Sequence, residues 1–302
     1  MAEVQEIVVI SGKGGTGKTS ITTAFAACAK ETIVCDLDVD VPDLYIVLHP
    51  SVQKEEVFMG GNKAVIQPNL CVGCGNCASL CRFGAVCSDD GRYTIDPIAC
   101  EGCGVCYKLC PEQAIVFPEV ECGVSYVSTT RFGYLIHAKL HPGEENSGKL
   151  VSLLKQKARA LAKQKGLCRI LCDGSPGIGC PVVSSLSGAS VVLAVVEPSV
   201  SGWHDFERVA KLCDHFRIPC MVLINRWDLN PEGSRLIEER LKDTHYIYLG
   251  KLAFSSEIIS SMNEGICVTE YSTPLSDQIR DFWEKIINFV PKRKSASLSH
   301  FS

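Results

Sequence analysis

Gly12-Lys13-Gly14-Gly15-Thr16-Gly17-Lys18-Thr19 stands directly after the apolar run Ile7-Val8-Val9-Ile10, and Ser20 opens a helix-forming stretch that reaches Lys30. Buried strand, glycine loop and helix in that order are the context that a G-x-x-x-x-G-K-[ST] phosphate loop demands. Glycines let consecutive backbone N–H groups turn inward around a phosphate, and the helix N-terminus adds a favourable field. Lys18 is then placed to reach the β- and γ-phosphates, and the Thr19 hydroxyl to ligate Mg²⁺. Nucleotide binding by Gly12 through Ser20 is the first expectation.

Outward from the loop, Thr32-Ile33-Val34-Cys35 reads as a buried strand ending in Asp36-Leu37-Asp38-Val39-Asp40. Carboxylates at a strand's C-terminal end face the ligand crevice of an open α/β sheet, although aspartate is also a common turn residue. Arg169-Ile170-Leu171-Cys172-Asp173 has the same form, and Asp173 fits the role of holding Mg²⁺ through water. The glycines of Gly174-Ser175-Pro176-Gly177-Ile178-Gly179 permit that loop to move, or simply to turn. Val191–Val196 and Cys220–Ile224 are continuous apolar runs typical of strands covered on both faces, with helices expected at about 147–166 and 201–216. Shorter strands are expected at 124–127 and 134–138. The fold class predicted is α/β, a mostly parallel sheet with helices on both faces.

A second pattern interrupts the first. Ile66-Gln67-Pro68 precedes Cys71-x2-Cys74-x2-Cys77-x3-Cys81, and Ile95-Asp96-Pro97 precedes Cys100-x2-Cys103-x2-Cys106-x3-Cys110-Pro111, with Ala85-Val86 and Ala114-Ile115 repeating at the same offset. This duplicated spacing is similar to that of two-cluster bacterial ferredoxins, in which the fourth cysteine of each run serves the other cluster. The likeness implies one 4Fe-4S cluster on Cys71, Cys74, Cys77 and Cys110, and a second on Cys81, Cys100, Cys103 and Cys106. Zinc is the competing ligand for paired Cys-x2-Cys, but its frameworks rarely use three cysteines at successive x2 spacing. Arg82 follows Cys81 where the ferredoxin pattern prefers proline. The domains expected are a discontinuous 1–61 and 119–302 and an inserted 62–118, too small to be stable without its clusters.

With both patterns the chain resembles deviant Walker A ATPases of the MinD/ParA/Mrp superfamily carrying an inserted ferredoxin domain. Glu144-Glu145-Asn146-Ser147-Gly148-Lys149 and Gly177-Ile178-Gly179-Cys180-Pro181 add to the likeness. The resemblance implies ATP as the nucleotide, and implies that Lys13 reaches across a dimer to the partner's phosphates, where a lone lysine would otherwise be a solvated charge. It implies that Asp38 positions the attacking water and that Asp36 lies near Mg²⁺ or the loop. It also implies that Asn225, at a strand end, contacts the adenine, with Asp228 a weaker candidate; an asparagine there is otherwise a turn former. Cys180 stands where the nitrogenase iron protein has one ligand of a cluster bridging two subunits, but the second ligand's region, 142–149, lacks cysteine. A bridging cluster, a redox or transfer thiol and an inert packed thiol all stay open there.

Composition narrows the classes. A net charge of −4 gives no reason to expect nucleic-acid binding. The acidic start Met1-Ala2-Glu3-Val4-Gln5-Glu6 is no signal peptide, and no apolar run approaches ~18 residues, so a cytoplasmic protein is expected. Of 18 cysteines, those outside the motifs lie mostly in apolar segments as small hydrophobes, suiting a reducing cell. A C-terminal helix at about 275–290, followed by Pro291-Lys292-Arg293-Lys294, is expected to dock its apolar face on the sheet rather than on a membrane.

The function expected is ATP hydrolysis coupling nucleotide state to electron transfer through two clusters, in a homodimer or a heterodimer with a homologous ATPase. The partner is a redox acceptor or an apo-metalloprotein. The alternatives are an iron-sulfur or metallocofactor assembly carrier, and a redox-sensing positioning protein like MinD. Because the insert follows Asp36–Asp40 in sequence, that first loop is expected to move it.

Overall fold

The computed structural model describes residues 4–144, 146–271 and 273–289. Its strands are β1 (Gln5–Ile10), β2 (Thr32–Asp36), β3 (Ser51–Asn62), β4 (Val65–Ile66), β5 (Val86–Asp89), β6 (Arg92–Ile95), β7 (Ile115–Val116), β8 (Glu119–Thr130), β9 (Gly133–Leu140), β10 (Arg169–Asp173), β11 (Val191–Val196), β12 (Cys220–Asn225) and β13 (Ile247–Leu252). Nine of them form one sheet in the order β13-β12-β11-β1-β10-β2-β9-β8-β3. Neighbours from β13 to β9 are parallel, while β8 pairs antiparallel with both β9 and β3. The mostly parallel α/β sheet expected from the apolar runs is therefore present, with an antiparallel edge.

Burial on both faces explains those runs. Val8 and Ile10 of β1 enter one core with helices Ser147–Lys165 and Val200–Phe216, while Ile7 and Val9 enter the other with helices Lys18–Cys28 and Pro274–Ile287. The C-terminal helix buries Ile279, Phe282, Trp283 and Ile286, with Trp283 at 5.4 Å from the Phe25 ring, so its apolar face is taken by the sheet layer. Val290 and Pro291-Lys292-Arg293-Lys294 lie outside the described residues. No helix among the described residues is long and apolar enough to cross a membrane.

The strands expected at 124–127 and 134–138 are the centres of the longer β8 and β9. β3 and β8 form a ribbon whose register ends at Asn62 opposite Glu119, so residues 63–118 leave and re-enter the sheet side by side. Within that segment β4 pairs with β7 and β5 with β6. Its apolar core is small, Ala64, Ile66 and Ile115 with Cys71, Cys77, Cys100, Cys106 and Cys110 among the groups packed around it, and Ala85 and Ala114 also buried. Because β3 runs in the same direction as β2 and β9, its end emerges at the edge of the sheet where the phosphate loop lies. The first acidic loop does not adjoin the segment: helix Leu44–Leu48 and all of β3 intervene.

His137 on β9 shares a hydrogen bond of 3.0 Å with the Ser128 hydroxyl of β8 and stacks on Tyr126. Burial lowers its pKa to about 4. The folded chain thus keeps His137 neutral while the unfolded chain takes up a proton below the ordinary value of 6.5. Stability is expected to fall as pH drops from 6.5 towards 4, by up to about 3 kcal/mol from this group. His137→Gln should flatten that part of a denaturation-versus-pH curve; an unchanged slope would assign the acid sensitivity elsewhere.

Candidate functional site

The glycine loop connects β1 to helix Lys18–Cys28, and Gly15 and Gly17 both take positive φ, 81° and 91°. A side chain on Gly12 would meet Asp205 at 2.4 Å, so the loop lies tight against helix Val200–Phe216. From β12, the Asn225 amide donates to the Thr16 carbonyl at 2.8 Å while its oxygen accepts from the Arg226 N–H at 3.1 Å. The amide end of Asn225 thus holds the loop, while its oxygen is occupied in its own turn. The Asp228 carboxylate accepts the Phe254 N–H at 2.6 Å, tying its turn to the chain just after β13.

Lys18 is buried between two acids, its Nζ 2.9 Å from Asp173 Oδ1 and 3.5 Å from Asp38 Oδ2. Thr19 Oγ1 donates to Asp173 Oδ2 at 2.8 Å, and Thr22 Oγ1 to Asp173 Oδ1 at 2.9 Å. Asp36 stands opposite Asp173 in the β2/β10 register and accepts the backbone N–H groups of Asp38 and Leu44. Burial alone would depress the Lys18 ammonium, but the charges of Asp173 and Asp38 outweigh it and hold the pKa above the ordinary value. Burial, then the charge of Asp173, pushes Asp36 well above the usual carboxylate range against the pull of Lys18. Asp38 is also raised by burial, with Lys18 opposing. The donor set of Asp36, Asp173 and Thr19, oxygen-only and rich in negative charge, fits a hard divalent cation such as Mg²⁺.

Lys18, Thr19 and Asp38 line a cleft of about 520 Å³ that also includes Gly15, Ser175 and Arg226, within the size range of small-ligand sites. The Ser175 hydroxyl donates to the Leu37 carbonyl at 2.7 Å, and the Gly177 N–H to Ser11 O at 3.0 Å. The two loops carrying Asp38 and Ser175 are thereby tied to each other and to the phosphate loop. Lys13 reaches Glu197 at 2.9 Å, and that carboxylate also takes Arg226 at 3.0 Å. Arg226, Glu197 and Thr22 were not singled out from sequence. Thr22 shares a helix face with Thr19, three residues away, which is a signal of the right kind.

Residues 7–268 match the family described as CbiA, the CobQ/CobB/MinD/ParA nucleotide binding domain. The chain belongs to this family. Two uncharacterized proteins of Methanocaldococcus jannaschii are similar to this CobQ/CobB/MinD/ParA member over nearly their whole length. One is 30% identical over 291 residues, covering 95% of this chain and 98% of its own. The other is 26% identical over 295 residues, covering 96% and 99%. Among solved structures, the septum site-determining protein MinD from Pyrococcus horikoshii, complexed with Mg-ADP, superposes with a TM-score of 0.59 at 15% identity, over 94% of this chain and 96% of that one. A McdA variant from Cyanothece in complex with ATP gives 0.59 at 13% identity, over 96% and 99%. At such identities the structural likeness shows the fold alone.

In the 63–118 segment of this CobQ/CobB/MinD/ParA chain, Cys71, Cys74, Cys77 and Cys110 line one pocket with Ile66, Tyr93 and Ile115. Cys110 comes from the other half of the repeat. Cys100 and Cys103 stand close enough to Cys106 for their charges to act on it, and burial raises the Cys106 thiol first of all. Burial would also raise Cys81, but the amides of residues 83–86 turned towards its sulfur bring it below the ordinary value. Arg82 lies over the Phe83 ring at 5.6 Å. Among the described residues no group of three or more His, Cys, Asp or Glu is gathered as for a metal ion. A cubane spreads its thiolates over four iron corners, so its ligands stand further apart than those sharing a single ion.

Cys180 is exposed at the start of helix Cys180–Leu186, in an open depression of about 430 Å³ with Ser152 and Ser184. Gly148 packs against it so closely that a Cβ there would lie 3.1 Å from Cys180 Cβ. The remaining cysteines are free thiols, Cys35, Cys122, Cys172, Cys213, Cys220 and Cys267 being buried.

Proposed function

We propose that this protein is an ATPase whose nucleotide state is coupled to electron transfer through two 4Fe-4S clusters carried by an inserted domain, residues 62–118, on an ATPase domain formed by 1–61 and 119–302. The observation that carries the reading is the gathering of Cys71, Cys74 and Cys77 with Cys110 in one pocket of a segment rooted at the nucleotide edge of the sheet. Four soft thiols drawn from both halves of a duplicated motif suit an iron-sulfur cubane, and the second set is Cys81, Cys100, Cys103 and Cys106. Bound there, the clusters supply one-electron chemistry at potentials the surrounding protein adjusts.

On the ATPase side, Gly12 through Ser20 cradle the phosphates of ATP, and Asn225 keeps the loop in place. Lys18 neutralises charge developing on the γ-phosphate, while Thr19, Asp173 and Asp36 hold Mg²⁺. Asp38, beside Lys18 in the cleft, orients water for in-line attack. Lys13 leaves Glu197 to meet the phosphates of a partner subunit, in a homodimer or a heterodimer with a homologous ATPase; its partial exposure favours this. The route to the insert runs from the loop after Asp173, through Cys180 and Gly148, to the start of helix Ser147–Lys165.

An assembly carrier is the second reading, favoured by the exposure of Cys180 at the end of the second glycine loop. Anaerobic purification with iron and labile-sulfide counting, together with ATP turnover on the same preparation, tests the first. Both clusters and ATP hydrolysis are expected, with iron retained when ATP and an apo-protein acceptor are added. Iron passing to that acceptor would replace electron transfer with assembly, and an iron-free, sulfide-free chain would end both.

A further inference from the structure

The root of the cysteine-bearing segment holds a charged group for which nucleotide chemistry has no use. Lys63, the first residue beyond β3, donates to Glu144 Oε1 at 2.7 Å, and both side chains are less than one-fifth exposed. The other Glu144 oxygen accepts from the buried Cys122 thiol at 3.3 Å. Lys63, Glu144 and Cys100 line one polar cleft of about 170 Å³ between the segment and the sheet, shared with Asn146 and Lys149. Lys149 donates to the Gly60 carbonyl at 3.2 Å, fixing the helix start to the end of β3. Gly102 has φ of 63°, and a Cβ there would meet Asn62 O at 2.4 Å, so only glycine lets the Cys100 turn come this near. The pocket of Cys71, Cys74, Cys77 and Cys110 shares none of these residues.

We propose that the Lys63–Glu144 ion pair sets the reduction potential of the cluster held by Cys100, Cys103, Cys106 and Cys81, and is the contact through which the ATPase body adjusts it. The proposal rests on the reading that those cysteines hold a cluster. Reduction adds one negative charge, so a nearby ammonium stabilises the reduced form and a nearby carboxylate opposes it. Paired at 2.7 Å the two largely cancel as seen from Cys100. Glu144 precedes helix Ser147–Lys165, whose Gly148 touches Cys180 at the end of the second glycine loop. Displacement of that loop alters how far Glu144 offsets Lys63.

The test is an EPR-monitored redox titration of the full, anaerobically purified chain and its Lys63→Gln, Lys63→Arg and Glu144→Gln variants. Lys63→Gln is expected to lower one of the two potentials and Glu144→Gln to raise the same one. Each change should be about tenfold in the oxidised-to-reduced ratio at fixed potential, ~59 mV for one electron. Lys63→Arg should stay near wild type, and the other cluster should not move. Variants that keep their iron but leave both potentials unchanged, or shift them in the same direction, would overturn the proposal. So would loss of iron in all three variants, which would make the pair a structural latch. A wild-type chain without iron and sulfide would instead remove the cluster reading beneath it.

Discussion

Lys18→Ala is expected to lower ATP turnover by about 10³-fold, the scale of removing one aimed charge from a phosphoryl-transfer site. The same substitution strips the cation from between Asp173 at 2.9 Å and Asp38 at 3.5 Å, with Asp36 opposite. Breaking a buried ion pair from one side costs on the order of 3–5 kcal/mol, so a lower unfolding temperature accompanies the lost turnover. The two effects are separable. Adding Asp36→Asn to Lys18→Ala relieves carboxylate repulsion and should recover part of the stability without recovering turnover. Turnover within tenfold of wild type in a folded Lys18→Ala chain would remove Lys18 from the chemistry.

The second large effect is expected in the insert. Cys110→Ala should lose about half of the iron and labile sulfide, because one cubane loses a ligand while the other keeps its own. With so few buried apolar side chains, the segment should also become sensitive to limited proteolysis within 63–118. Crosswise ligation makes a sharper demand: Cys71→Ala combined with Cys110→Ala should lose no more iron than either alone. Loss of nearly all iron in the double variant would mean that each run serves its own cluster. Full iron in Cys110→Ala, or zinc in its place, would contradict the cluster assignment.

What could be read from sequence followed from where the physics is local. β1, β10, β11 and β12 are legible because strands covered on both faces carry unbroken apolar runs at their centres. Helix Ser147–Lys165 ends where Gly166 takes a left-handed conformation, φ 66°, a stop that sequence shows directly. β3 was illegible because Lys54, Glu55 and Glu56 give an edge strand the charges that discourage further pairing, which hides its alternation. Its length is also why adjacency in sequence misled about the insert, which neighbours the second glycine loop through helix Ser147–Lys165 rather than the first acidic loop. In the site, contiguous motifs placed Lys18, Thr19 and the aspartates. The Lys13–Glu197–Arg226 group, the Asn225 bond to Thr16 and the Lys63–Glu144 pair join residues far apart in the chain, where no spacing rule applies.

Coupling between nucleotide and clusters is most directly measured by EPR of the dithionite-reduced, anaerobically purified chain with Mg-ADP and with a nonhydrolysable ATP analogue. The account predicts two cluster signals, of which at least one changes in line shape or in potential between the two nucleotides. Identical spectra and identical potentials with both nucleotides bound would contradict it, even with every cysteine ligating iron and every phosphate contact in place.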